Sequence, residues 1–226
     1  MRECDYTVHL LPFTFKLSTE MKYPLFRERF LEAGCVSTAE IAAAYDCFDK
    51  NNLTRWCGQG LLVQLRNGFY AFPDLLRNDE FVYHIANRMY APSYVSLHSA
   101  LSYHGYVRAS AGMPVSSVSG RKTQSFRNAF GKFDYQKMKS ELHFGFGRHT
   151  VDGFSFEMAY PEKALLDLLY LYPTLYGTEQ GLRNFAIEEQ MLYENLDIEK
   201  LYDYTERFGS HALSQRVDLF VRVFGL

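Results

Sequence analysis

The sequence predicts an α+β chain built in two parts, and three observations carry that reading. Helical patterns close on a tight hairpin between residues 23 and 76, a strand-rich stretch fills residues 114–156, and a strongly apolar helical run, KALLDLLYL, follows it. At 226 residues and 47% hydrophobic content the chain can bury a sizeable core. The change of character past Pro73 favours two cores over one. The expected units are an arm of open structure (1–22), a helix-and-hairpin domain (23–76) and a mixed domain (77–226).

In the arm, residues 8–15 are apolar but contain Pro12, which fits a strand, an arm or a segment packed on the second domain. Pro24 suits a first helical turn, where its missing N–H is not needed, and Leu25, Phe26, Phe30 and Leu31 recur among charges until Gly34. Ser37-x-x-Glu40 reads as a capping box, and Ile41, Tyr45 and Phe48 at i, i+4 and i+7 give the next helix a packing stripe. In the third helix Leu53, Trp56 and Cys57 share one face, with Asn51, Asn52, Thr54, Arg55 and Gln59 on the other. Gly60 suits its end. Residues 61–66 then alternate, and Asn67-Gly68 forces a two-residue reversal that needs positive φ at both positions. Arg66 is thereby set opposite Phe69 and Leu65 opposite Tyr70. Leu61, Val63, Leu65, Tyr70 and Phe72 would face Trp56, with Gln64 and Arg66 outside.

Three helices and a hairpin within about fifty residues is the order of a winged helix-turn-helix, whose third helix reads base edges. The residues expected to approach DNA are Ser37, Thr38, Lys50, Asn51, Asn52, Thr54, Arg55 and Gln59, with Arg66 and Asn67 in the wing. Arg55 is the expected specific reader. Winged helices also serve as protein-interaction modules, and Asp46 and Asp49 dilute the positive face here.

Past Pro73, Phe81, Val82, Ile85, Ala86 and Met89 mark a helix from near Asp79, and a shorter one spans 96–104. PVSSV, TQSF, GKFDY, ELHFGF and a turn at Val151-Asp152-Gly153-Phe154 leading into FSFEMAY imply a small mixed sheet. Pro161-Glu162 opens the apolar helix, and two further helical patterns fill residues 195–226.

The net charge of -2 conceals segregation. Residues 76–155 carry ten basic and five acidic side chains, whereas residues 156–226 carry six and twelve, so different surfaces are expected to meet different partners. Arg121, Lys122, Arg127, Lys132, Lys137 and Lys139 lie close together against one acid, Asp134, with Phe126, Phe130, Phe133 and Tyr135 interleaved. This stretch is either a phosphate-binding patch or a solvated basic face over an aromatic core.

Enzyme signatures are missing: no GxxxxGK[ST], no GxGxxG after a strand, no HExxH, no GxSxG. Gly209-Ser210 is followed by no DxD or DxE pair able to hold Mg²⁺, so it reads as a helix cap. His98 and His104 have no acid nearby in sequence to orient them as bases and read as structural. Cys4, Cys35, Cys47 and Cys57 form no zinc-ligand spacing and are expected to be reduced and buried. No catalytic residue, metal or cofactor is expected. The charged N-terminus does not look like a signal peptide, and no apolar run approaches the ~18 residues of a membrane span, so a cytoplasmic protein is expected.

Three segments together resemble a known family. VQLRNGFYAF looks like its wing, SYVSLHSALSYHG like its signature helix and AYPEKALLDLLYL like its second hallmark, with the basic strand region between them. The family is the AbiEi-type antitoxins and transcriptional regulators of type IV toxin-antitoxin systems, and the resemblance runs from about residue 23 to residue 171. It implies a winged helix that represses its own operon. It also implies a C-terminal domain of nucleotidyltransferase-like outline, without catalysis, that counteracts a nucleotidyltransferase toxin encoded next door. The partners implied are operator DNA and that toxin, with no stable complex required, for a monomer able to bind DNA repeats cooperatively. The basic patch then has a toxin-facing reading as well. The alternative is a winged-helix repressor with no toxin partner. The 22 N-terminal residues exceed the family pattern.

Overall fold

The computed structural model describes residues 21–75 and 80–226, so the arm, save its last two residues, lies outside the described residues. The chain is α+β. In the first unit α1 (Tyr23–Phe30), α2 (Thr38–Ala44) and α3 (Lys50–Gly58) accompany a three-stranded antiparallel sheet made of β1 (Cys35–Ser37), β2 (Val63–Arg66) and β3 (Phe69–Ala71), in the order β1-β3-β2. Pro24 lies in the first turn of α1. The capping box forms: Ser37 Oγ accepts the Glu40 N–H, and the Glu40 carboxylate accepts the Ser37 N–H. α2 is shorter than its stripe, because Tyr45 leaves the helix in an extended conformation and Phe48 packs from the loop beyond. Asp49 accepts the Asn51 N–H and so starts α3. Trp56 anchors the core of this unit, with the Phe26 and Tyr23 ring centroids 4.9 and 5.4 Å away and Phe30, Val36, Ile41, Leu53, Leu62 and Phe72 in the same cluster.

The hairpin corrects the sequence reading in three respects. Gly68 has φ +76° but Asn67 does not share a positive φ, which rules out the mirror-image turn that needs both. Arg66 pairs with Phe69 as expected, yet Gln64 rather than Leu65 stands opposite Tyr70, because a bulge at Leu65 adds a residue to β2. The faces differ in part. Leu61, Tyr70 and Phe72 pack with the Trp56 cluster as expected, joined by Leu62, while Val63 and Leu65 turn with Phe69 and Ala71 to the core of the second unit. Cys35 and Val36 divide between the two clusters in the same way, so the small sheet is a layer shared by two cores.

Gly68 is constrained twice. Its φ is one that β-branched residues avoid, and an added Cβ would sit 3.2 Å from Thr38 Oγ1, next to the bond from Thr38 N–H to Gly68 O. Gly68→Val is therefore expected to lower stability by about 1–3 kcal/mol, measured by chemical denaturation. A variant as stable as wild type would show that this turn tolerates a side chain.

The second unit runs through α4 (Phe81–Met89), β4 (Ser93–Val95), α5 (Leu97–Tyr103), β5 (Val115–Ser119), β6 (Gln124–Asn128), β7 (Gly131–Lys137), β8 (Phe146–Val151) and β9 (Phe154–Ala159). Then come α6 (Pro161–Leu171), α7 (Pro173–Tyr176), α8 (Glu179–Arg183), α9 (Glu189–Asn195), α10 (Ile198–Phe208) and α11 (His211–Phe224). The strands form a six-stranded mixed sheet of order β6-β7-β5-β4-β9-β8, in which β5/β7 and β4/β9 are parallel and the other pairs antiparallel. α6 packs against α5, α10 and α11. The ELHFGF stretch is not one strand: residues 140–142 form a 3₁₀ turn and β8 starts at Phe146. Gly209 ends α10, and Ser210 Oγ accepts the Leu213 N–H to start α11, which makes this pair the cap that was expected. Of the described cysteines Cys35 is buried and Cys57 half-buried, but Cys47 is exposed, contrary to expectation. No helix among the described residues is long and apolar enough to cross a membrane.

Candidate nucleic-acid interface

α3 presents a polar face because its apolar residues fall on the opposite side of the helix. Lys50, Asn51, Thr54, Arg55 and Gln59 are exposed and Asn52 is half-buried. Arg55 Nη2 donates to Asn52 Oδ1 at 2.7 Å, which holds the guanidinium along the helix surface. Ser37 is spent otherwise: its hydroxyl and N–H are both committed to Glu40, so it caps α2. Thr38 is half-buried, its N–H given to Gly68 O. Asn67 stands exposed at the tip of the hairpin.

Arg66 does not point outward as its place in the alternation suggested. Its Nε donates to Met89 O at 2.7 Å, its guanidinium lies 4.2 Å from the Phe69 ring centroid, and Phe126 is 6.0 Å away. The bulge at Leu65 leaves β2 beside β6, where Asn128 Nδ2 donates to Leu65 O at 3.1 Å. Burial first, and then the neighbouring Arg121 charge, push the Arg66 pKa down. Gln64 keeps the exposed position.

Arg121, Lys122, Arg127, Lys132, Lys137 and Lys139 are all exposed. Among the interleaved aromatics Phe133 and Tyr135 are fully buried, Phe130 is buried and Phe126 is half-buried, so the aromatics belong to the core and supply no stacking platform. Arg127 stands directly opposite Lys132 across β6 and β7. Like charges in that position repel, and a phosphate between them would relieve the repulsion. Arg121 lies over the Tyr90 ring at 5.6 Å, close enough to Arg66 to act on its charge. The hairpin of the first unit and the basic edge of the second sheet thus adjoin, a continuity that sequence separation hid.

Two side chains of the second unit, Arg88 and His84, also reach the first. Arg88 Nη2 binds Glu40 Oε1 at 2.5 Å, and His84 places its two ring nitrogens 2.9 and 2.8 Å from Ala33 O and Ser155 O. Burial works to raise the Glu40 pKa, but the bonds from Ser37 and Arg88 hold it below its usual value. His98 Nε2 meets Tyr176 OH at 3.1 Å and His104 Nε2 meets Ala159 O at 3.0 Å, the structural roles expected of them, and burial pushes both pKa values down. Among the described residues no cluster of His, Cys, Asp and Glu has the makings of a metal site. No family model matches the chain, and no curated protein is significantly similar to it.

Proposed function

We propose that this chain is a cytoplasmic DNA-binding repressor of the AbiEi type, which acts on its own operator through a winged helix-turn-helix and opposes a nucleotidyltransferase toxin through its second unit. The observation that carries the DNA half is the exposed polar face of α3 beside a hairpin that continues into a basic sheet edge. The element order α1-β1-α2-α3-β2-β3, with its sheet order β1-β3-β2, supports the winged-helix reading. The toxin half rests on the three motifs, and the mixed sheet with its packed helices accords with a nucleotidyltransferase-like outline. A monomer that occupies DNA repeats fits this scheme.

A mobility shift on DNA upstream of the protein's own gene tests the first half. Retardation of that duplex in preference to a scrambled one is expected, and equal retardation of both overturns it. Rescue of growth on co-expression with a neighbouring nucleotidyltransferase tests the second half, and failure of rescue leaves a repressor without a toxin partner. Arg55→Ala is expected to lose about 1–3 kcal/mol of discrimination between upstream and scrambled DNA, the worth of one bidentate arginine–guanine contact. Unchanged discrimination in paired titrations would remove Arg55 from the reading role.

A further inference from the structure

The chain from residue 156 onward carries twelve acidic and six basic side chains, so a basic group there has no shortage of carboxylates. Three of the six pair with one: Lys163 with Asp167, Arg183 with Glu179 and Lys200 with Glu162. A fourth, Arg207, lies over the Phe144 ring at 3.7 Å. That leaves Arg216 and Arg222, whose guanidinium groups have no hydrogen bond or ion pair among the described residues. Both line one cavity of about 390 Å³ between α7 and α11, and no acidic residue stands in its wall. The helix period brings them there: positions 212, 215, 216, 219 and 222 share one side of α11, while Leu213, Val217, Phe220 and Phe224 are buried on the other. Asp218, the only acid on α11, accepts instead from Tyr202 OH of α10 at 3.2 Å.

Arg216 is the deeper of the two. It is half-buried, with its stem beside Gly177, where an added Cβ would lie 3.8 Å from Arg216 Cδ. Its Nε alone is shut off from solvent, so Nη1 and Nη2 are accessible and unbonded. Burial pushes its pKa down, with only Tyr170 opposing and no carboxylate near enough to act on it. A guanidinium is seldom drawn out of water without a counter-charge. Two such charges in one cavity call for a dianion, and the planar fork of arginine matches the oxygens of phosphate. At neutral pH a phosphate monoester carries nearly two negative charges, whereas a carboxylate or a phosphate diester carries one. The cavity is larger than a bare phosphate needs and falls within the size range of small-molecule sites. We infer that this cavity binds a small phosphate monoester, with its phosphate between Arg216 and Arg222 and its organic part against Pro173 and Leu219.

The test is titration calorimetry on the full chain at neutral pH, with ribose 5-phosphate and phenyl phosphate as monoesters and with inorganic phosphate, dimethyl phosphate and ribose beside them. At least one monoester is expected to bind saturably and more tightly than inorganic phosphate, while dimethyl phosphate and ribose give no signal. Arg216→Gln and Arg222→Gln should each weaken that binding about tenfold. Circular dichroism confirms that each variant is folded, and the exposed Arg222→Gln serves if Arg216→Gln is not. Dimethyl phosphate bound as tightly as the monoester would make the pair a contact for a nucleic-acid backbone and overturn the assignment. So would inorganic phosphate bound equally well, silence from both monoesters, or binding that the folded variants leave intact.

Discussion

Lys163→Met is expected to destabilise the full chain by about 3–5 kcal/mol, measured as a lowered denaturation midpoint in urea. Lys163 and Asp167 lie one turn apart on α6 with no exposed side-chain surface, and their charges meet directly. The network around them is closed. Lys163 Nζ also donates to Tyr94 OH at 2.9 Å, while Asp167 Oδ2 accepts from Tyr94 OH at 3.0 Å and from Ser96 Oγ at 2.7 Å. The ammonium sits 5.2, 5.2 and 4.8 Å from the ring centroids of Tyr94, Phe144 and Phe208. Gly145 makes room for this packing, since a Cβ there would lie 3.1 Å from Lys163 Cβ and Cγ. Burial drives the lysine pKa down and the aspartate pKa up, and each partner's charge opposes that shift.

Removing the lysine alone strands a carboxylate with no counter-charge, and that penalty exceeds anything the apolar replacement recovers. The double variant Lys163→Met/Asp167→Leu removes both charges and should regain most of the loss, because apolar side chains of similar size tolerate this environment. A single variant that loses less than about 1 kcal/mol, or a double variant no more stable than the single, would show that the pair is not the keystone of this core. The network ties β4 to α6, so two of the three motifs that carry the family resemblance, SYVSLHSALSYHG and AYPEKALLDLLYL, prove to be two sides of one buried contact.

How far the sequence foretold this structure depended on whether each cue was local. The capping box at Ser37, the start of α6 at Pro161 and the Gly209-Ser210 cap were legible because each is a short-range arrangement of backbone and side chain. β1 and β4 were not, since three residues show no alternation and both strands exist only through distant partners. The short helices α7, α8 and α9 escaped for want of enough turns to display a period. In α6 the apolar run masked Lys163 and Asp167, although opposite charges at i and i+4 within a run such as KALLDLLYL are a usable sign of a buried pair. In the hairpin, alternation placed Leu61, Tyr70 and Phe72 correctly against Trp56 and set Val63 and Leu65 on the wrong side. Both faces of that sheet are apolar, and only the position of the second core decides which residues meet Trp56. The α3 side of the candidate interface was legible from helix periodicity; its continuation onto β6 was not.

Neutralising Arg121, Lys122 and Arg127 together is expected to flatten the dependence of log affinity on log salt by about two to three units for non-specific duplex DNA. Each phosphate contact made by a basic side chain releases condensed counterions and contributes about 0.9 to that slope. All three residues are exposed, Arg121 is within electrostatic reach of the hairpin residue Arg66, and Arg127 faces Lys132 in a pairing that an anion would stabilise. The measurement belongs on the full chain, because a fragment ending at residue 76 would bare Val63, Leu65, Phe69 and Ala71, which the second core covers. Preference for upstream over scrambled DNA should survive the triple change, since phosphate contacts position a protein on the duplex without reading its bases. An unchanged slope together with lost rescue from the toxin would assign the patch to the toxin side. An unchanged slope with intact rescue would make it a solvated face and leave the polar surface of α3 to carry the proposed DNA binding by itself.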